Sequence, residues 1–445
     1  MASHHKESPK EVPYQWWKLN VFNLVQLKMN GWNFFKDQME ANDSTVFSAN
    51  VLGWTTFVCD HVGIKSVLDM EKTTRDDIGH GFMKLRPQMM IGQTPCVFSV
   101  GQHHEKHKLF IMNFVRKAYD DQKDEMISII QKEFLKMNEQ VKNLRKEDSK
   151  FDWERMFVTA SKRVICNMLL GEYVEDVTPL EEYTSGMLAL EKMPGKPKCL
   201  IQNIMNIFEK VESLKDLANK FPDSGLTHEE MFKDVVYIIC LDASNAISIV
   251  VMNCLFCYLR LEDSDKQLLC NEADQFFKGV STGNRNNIEE ILHSLPNLHK
   301  FFMEVLRWNA KSFIYGKAKS DFELDSKSGK FSIKKDDLLC ALPYWIHRDE
   351  NLFPNPNVFD MHRDVDVTEK YNFGYGGPFL GASTSSNHRC AGFSVSMDVA
   401  KTFVLFFTQC DFEQKKESVW TGEFITRRFA SDHPLVLNEF KFNGN

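Results

Sequence analysis

The chain has no excess of basic charge. Across 445 residues, 54 Lys and Arg stand against 61 Asp and Glu, a formal net charge of −7. That argues against a nucleic-acid partner. No stretch offers the roughly 18 uninterrupted apolar residues that span a bilayer. The opening "MASHHKESPKEVPYQWWKLN" has no apolar core and no small-residue cleavage site, so no secretory signal is read there. The expected location is cytoplasmic, soluble or peripheral to a membrane, and Trp16 and Trp17 could touch a membrane surface. No linker rich in Gly, Ser or Pro divides the chain and no internal repeat is found, so residues 1–445 are expected to form one domain. Paired disulfide spacing is also missing. The 11 cysteines are odd in number and scattered, and Cys166, Cys240, Cys254 and Cys257 sit inside apolar runs, as buried free thiols in a reducing compartment do. Cys254 and Cys257 form a C-x-x-C without a second such pair or a nearby His pair, which a zinc site would need.

The pattern that is present is mostly helical. Residues 105–140 are helix-patterned, and Met126, Ile129, Ile130, Phe134 and Met137 fall on one stripe. Further helices are expected over 152–171, 179–192, 200–218 and 286–308, with a last one over 390–410. The run 228–260 is expected to be one long buried helix, because Asp242, Ser244 and Asn245 in its middle would be costly in lipid. "STVFSANVLGWTTFVCD" alternates like a hairpin, and residues 313–343 read as strands with a turn at Ser328–Gly329. The expected class is therefore mainly α with small β-sheets (α+β).

Two constellations stand out. Glu304 and Arg307, three apart, share a helix face and can pair, and Arg363 in "IHRDENLFPNPNVFDMHRD" could complete a Glu-Arg-Arg cluster. Near the end, "YNFGYGGPFLGASTSSNHRCAGFSVSMDVAKTFVLFF" places one cysteine, Cys390, behind a long loop and at the mouth of a helix.

In this order, the central helix, E-x-x-R, strands, the HRD…FPNP…F…R segment and the loop before Cys-Ala-Gly resemble the cytochrome P-450 superfamily over nearly the whole chain. The resemblance implies the P-450 haem-thiolate fold and haem b, with Cys390 as the axial thiolate ligand to iron. A helix N-terminus would lower the pKa of such a thiol, Gly392 would let the helix lie close to a flat macrocycle, and the thiolate would favour O–O cleavage.

Two features depart from the usual pattern. Residues 377–389 separate Gly376 from Cys390, far more than usual, and His388 replaces the Arg two before the cysteine. The central "CLDASNAISIV" lacks the acid–Thr pair that oxygen-activating members carry; Ala246 and Ile247 stand near its place. Both departures resemble the fatty-acid hydroperoxide-converting clan of allene oxide synthases, hydroperoxide lyases and epoxyalcohol synthases. That clan's N-x-x-C-A-G falls on Asn387–Gly392, its Y-G-K-A-K-S on Tyr315–Ser320, and its S-T-V-F-x-A-N on Ser44–Asn50.

By this resemblance the haem propionates would be held by Arg75, His104, Lys108 and His388. For the "HHEKHK" run a solvated charged face and a His103–His107 metal pair are the other readings. The clan's active-site Asn maps onto Asp242 or, one turn on, Asn245. Its aromatic linked to allene oxide formation is replaced by Gly79, with Phe82 nearby. The implied activity is homolytic O–O cleavage in polyunsaturated fatty-acid hydroperoxides, needing no O2, NADPH or redox partner. Without the aromatic, epoxyalcohol synthesis is favoured, with hydroperoxide lyase or allene oxide synthase as alternatives. A conventional NADPH-dependent monooxygenase and a non-enzymatic haem sensor are the rivals.

Overall fold

Helix boundaries follow from local chemistry. In a computed structural model, residues 9–14, 20–51, 53–75, 92–143, 151–181, 196–281, 288–309, 313–373, 377, 380–414, 435 and 437–444 are described. The helix Trp153–Leu170 starts where the Asp152 carboxylate accepts the Arg155 N–H at 2.9 Å, and stops at Gly171, whose φ of 67° is left-handed. Thr227 and Glu230 form a capping box ahead of His228–Tyr237.

The region 105–140 is two helices, Gly101–Gln122 and Met126–Lys142, joined by a 3₁₀ turn at Lys123–Glu125. The stripe of Met126, Ile129, Ile130, Phe134 and Met137 is buried throughout. Phe134 is fully buried against Phe403, Phe406, Phe407 and Phe442, so truncating it to Ala should cost about 3–5 kcal/mol. The expected helix over 286–308 is split into Ile288–His293 and Pro296–Trp308, because Pro296 takes the first position of the second and has no N–H to continue the first. In 200–218 the main helix is Lys196–Phe208, followed by short turns. Most of 179–192 lies outside the described residues.

The run expected as one helix over 228–260 is interrupted. His228–Tyr237 gives way to a π-helical turn, Ile238–Ala243, before Ser244–Leu259 resumes. A π turn takes in one extra residue and re-aims the side chains beyond it, and such turns concentrate at functional sites. By length and composition His228–Leu259 could cross a membrane, but 65% of its most apolar window is buried inside the fold, as suits a core helix.

Ten strands make three sheets among the described residues. The largest has the order β2 (Val46–Asn50), β3 (Trp54–Val58), β8 (Leu338–Ala341), β5 (Ile314–Ala318), β4 (Thr73–Thr74), with β2–β3 the expected hairpin. A second joins β1 (Lys10–Glu11) to β7 (Gly329–Ile333) and β6 (Phe322–Ser326). Its hairpin turns at Lys327–Ser328, one residue earlier than expected, since Ser326 pairs with Gly329. The third pairs β9 (Cys410–Gln414) with β10 (Leu437–Phe442).

The Glu-Arg-Arg cluster forms. Arg307 is fully buried and holds both Glu304 oxygens at 2.7 Å, and Arg363 Nε lies 3.3 Å from the same carboxylate. Arg307 also donates to the carbonyls of His347, Pro356 and Val358 at 2.9–3.2 Å. The helix Pro296–Trp308 thereby fixes the irregular segment leading to the cysteine loop. His347 extends the tie, its Nδ1 on the Arg307 carbonyl at 3.1 Å and its Nε2 accepting the Phe373 N–H at 3.1 Å.

Candidate functional site

Cys390 stands three residues before the first residue of the helix Phe393–Phe407, which Gly392 caps. The Cys390 and Asp242 side chains are both accessible, yet protein surrounds each of them. The two facts agree because both line an internal slot between the π turn and the cysteine loop. Asp242 is close enough for its charge to push the Cys390 thiol up.

The amide at the helix N-terminus acts in the expected direction, and it is not the largest influence on the thiol. The Gly392 amide and the Lys108 and Arg389 charges do favour the thiolate, but burial outweighs them and lifts Cys390 to about 11. A metal cation deprotonates a thiol that coordinates it outright. A Cβ built on Gly392 would meet nothing nearer than Val115 at 3.7 Å. Protein packing thus makes no demand for glycine there.

Along one edge of the slot the cations converge. Arg75, His104, Lys108 and His388 come together from the end of β4, the helix Gly101–Gln122 and the cysteine loop. Their mutual charge is felt: Arg75, His104 and Lys108 all add to burial in holding His388 neutral, with its pKa far below the usual histidine value. Burial lowers Lys108 to about 8 and Arg75 to about 10. Among the described residues no carboxylate pairs with Arg75 or Lys108, and His388 Nε2 is buried without a hydrogen-bond partner. Buried cations without anions, beside an orphaned ring nitrogen, are matched to carboxylates supplied by a ligand, and haem propionates have that chemistry.

Lys108 and His104 have a second task. Lys108 Nζ donates to the backbone carbonyl of Asn387, to Asn387 Oδ1 at 3.1 Å and to the Arg389 carbonyl at 2.8 Å. His104 Nε2 reaches the same Asn387 carbonyl at 3.1 Å, while Nδ1 lies 2.8 Å from the Cys96 carbonyl. A neutral ring can donate to only one of them. Asn387 is the hub of the long loop. Its amide donates to Ala382 O at 2.9 Å and Leu380 O at 3.4 Å, and its Oδ1 accepts the Thr384 and Arg389 N–H groups at 3.2 and 3.1 Å. The extra residues thus fold around one side chain that Lys108 pins in place. Sequence reasoning sees Asn387 only as part of a pattern and misses this role; the run of small polar residues before it is the available signal.

The π turn separates the two central-helix candidates. Asp242 lies in it and faces the slot, where burial raises its carboxyl above the usual range. Asn245 lies just after it and turns its amide back onto the Cys240 carbonyl at 3.2 Å. His103 and His107 do not share a ligand: His103 Nε2 meets Thr94 O at 2.9 Å, and His107 Nδ1 meets Asp234 Oδ2 at 2.6 Å. Cys254 and Cys257 are buried, and none of the ten described cysteines is in a disulfide. Gly79, Phe82, Gly376, Trp16 and Trp17 lie outside the described residues.

Comparison with known proteins agrees with this geometry. The family profile described as "Cytochrome P450" matches residues 212–379. A cholesterol 7-alpha-monooxygenase of Cricetulus griseus is 28% identical over 37% of this chain and 34% of its own length. A divinyl ether synthase of Selaginella moellendorffii is 28% identical over 46% of this chain and 43% of its own. A chloroplastic fatty acid hydroperoxide lyase of Solanum lycopersicum is 26% identical over 45% and 43%. The chain thus matches less than half the length of these curated relatives. Among solved structures, cytochrome P450 OleT in complex with arachidonic acid superposes with a TM-score of 0.69 at 16% identity, covering 98% of this chain and 100% of that one. Cytochrome P450EX alpha with myristic acid gives 0.70 at 17%, with the same coverage. These structures share the fold, and the fold's cofactor is haem b with an axial cysteine thiolate. The profile match over residues 212–379 and a fold shared over nearly the whole length make this chain similar to the cytochrome P450 superfamily in its C-terminal part and like it in fold throughout.

Proposed function

We propose that this chain, acting as one haem domain over residues 1–445, isomerises polyunsaturated fatty-acid hydroperoxides to epoxyalcohols. In this reading Cys390 is the axial ligand, and Arg75, His104, Lys108 and His388 hold the propionates. When bound, haem b supplies homolytic cleavage of the substrate's O–O bond, favoured by electron density from the thiolate.

The observation that carries the reading is the slot-facing wall of the central helix. Asp242 faces the slot and is followed by Ala243, and residues 238–259 contain no Thr. An oxygen-activating enzyme needs protons delivered to dioxygen, and this wall has no acid–Thr pair to deliver them. Burial raises the Asp242 carboxyl above the usual range, which favours the protonated form that donates a hydrogen bond, and we assign Asp242 that role toward the hydroperoxide. Asn245, turned onto Cys240, would support the wide turn that aims Asp242. An epoxyalcohol keeps both hydroperoxide oxygens, so atoms balance with no outside reductant and no redox partner. Relatives named as a hydroperoxide lyase and a divinyl ether synthase support this substrate class. Free cysteines fit a cytoplasmic location, soluble or peripheral.

The cholesterol 7-alpha-monooxygenase relative favours a second reading, an NADPH-dependent monooxygenase. Anaerobic incubation of the holoprotein with one purified fatty-acid hydroperoxide, followed by product mass spectrometry, separates them. A product of unchanged mass carrying an epoxide and a hydroxyl is expected. Shorter aldehydes would make the enzyme a lyase, and loss of water an allene oxide or divinyl ether synthase. Turnover that requires a reductase, NADPH and O2 would establish the monooxygenase. Haem binding with neither activity would leave a sensor.

A further inference from the structure

Away from the haem slot, the helix that follows Cys390 carries a carboxylate with one oxygen unused. Asp398 is 1% exposed, and its Oδ2 accepts the Tyr119 hydroxyl at 2.8 Å. Its Oδ1 is buried without a hydrogen-bond partner. That oxygen points at His293, whose Nε2 lies 3.7 Å away, too far for a hydrogen bond. Glu289, one turn before His293 on the helix Ile288–His293, puts a carboxylate oxygen into the same space. One donor atom from each of the three residues lies within 4.8 Å of the others.

These spacings suit ligands to a cation better than partners to one another. Bonds of about 2.0–2.2 Å in a tetrahedral shell put ligand atoms roughly 3.4 Å apart. We propose that Glu289, His293 and Asp398 form a divalent-cation site suited to zinc, stapling the helix Ile288–His293 to the cysteine helix Phe393–Phe407.

The donor set fits the class. Two carboxylates and one imidazole favour zinc and its neighbours over magnesium or calcium, which take oxygen alone. Two negative charges balance the ion's two positive ones. Three protein ligands leave one position for water, and the exposed edge at His293 supplies access. Tyr119 is the outer partner that ligating carboxylates ordinarily have. Two cations face the cluster. Arg116 holds both Glu289 oxygens, at 3.4 and 3.2 Å, and Asp120 at 2.9 Å, and each Glu289 oxygen keeps a second lone pair. Lys401 Nζ lies 3.1 Å from His299 Nδ1, and His299 Nε2 meets Glu369 at 2.5 Å, so the lysine is drawn away from Asp398. Burial raises the Asp398 carboxyl to about 6, consistent with a charge that the protein alone leaves uncompensated.

The test uses haem-loaded protein stripped with a chelator, equilibrated with zinc chloride and desalted, with zinc and iron counted together. Iron reports intact haem protein in every variant. One zinc per haem iron and a raised melting temperature are expected. His293→Ala and Glu289→Gln should lose that zinc and the thermal shift. Tyr119→Phe should bind about 10–100-fold more weakly. The His293 side chain is about half exposed, so its variant is expected to fold. Wild-type protein that keeps no more zinc than His293→Ala, or equal affinity in all four proteins, would overturn the proposal and leave a His293–Asp398 ion pair.

Discussion

Replacing Asn387 with Ala should loosen the cysteine loop without touching Cys390. The side chain makes four hydrogen bonds to loop backbone groups and accepts one from the Lys108 ammonium. Neutral bonds contribute about 0.5–1.5 kcal/mol each, and one to a charged group about 1.5–3. Several of the loop partners are exposed and can turn to water instead, so less than the full sum is lost. A net cost of about 2–3 kcal/mol raises the detached population of the loop roughly 30–150-fold. Two assays read it. Hydrogen exchange of residues 380–389 should accelerate by that factor, and haem should transfer faster to an excess of apo-globin. Asn387→Asp serves as the control: it keeps the acceptor toward Lys108 and loses the donor to Ala382 and Leu380, so it should fall between. Exchange and haem loss within about twofold of wild type in Asn387→Ala would refute the hub.

Arg307→Met should destabilise the fold by about 3–5 kcal/mol in chemical denaturation, because buried Glu304 loses its closest cation and keeps Arg363 and the Asp360 N–H. The double variant Glu304→Leu/Arg307→Met should cost less than the sum of the single ones. His347 is buried, and desolvation followed by the Arg307 charge lowers it from the usual value near 6.5 to about 3. The unfolded chain therefore binds the extra proton first. This contribution is complete above about pH 6.5 and is lost at about 1.4 kcal/mol per unit as pH falls toward 3. Urea midpoints at constant ionic strength should show that acid limb, and His347→Gln should flatten it. Asp242→Leu should lower turnover of a fatty-acid hydroperoxide about a hundredfold with haem content unchanged, whereas Asp242→Asn, which still donates, should retain most of it. Equal rates in the two variants would remove Asp242 from the chemistry.

Much of this architecture is legible in the sequence where one element encodes it. The Met126–Met137 stripe, the Val46–Val58 hairpin and the Glu304–Arg307 pair each follow from a period of 3.6, 2 or 3 within a short segment. Arg363 and Cys390 are legible through the order of motifs. Other features depend on partners far apart in the chain. Nothing in the spacing of "STSSNHRC" says that Lys108, 279 positions earlier, will pin Asn387. The π turn escapes for a different reason. A helix that is apolar all round carries no amphipathic phase, so an extra residue leaves no mark on its pattern. At Cys390 the helix N-terminus is visible in the sequence, while the depth of burial that opposes it is not.

The wide turn at Ile238–Ala243 also limits how this chain can be compared with its relatives by counting. A single extra residue rotates everything beyond it by about 100° of helix phase. Two chains that align without a gap on either side of the turn can still present different residues to the slot. Swapping Asp242 or Asn245 alone for a relative's residue transfers a side chain without its aim. Grafting the whole segment 237–245 would carry both. An enzyme lineage could likewise exchange the wall of its active site through one inserted or deleted codon, without any substitution in the flanking helix.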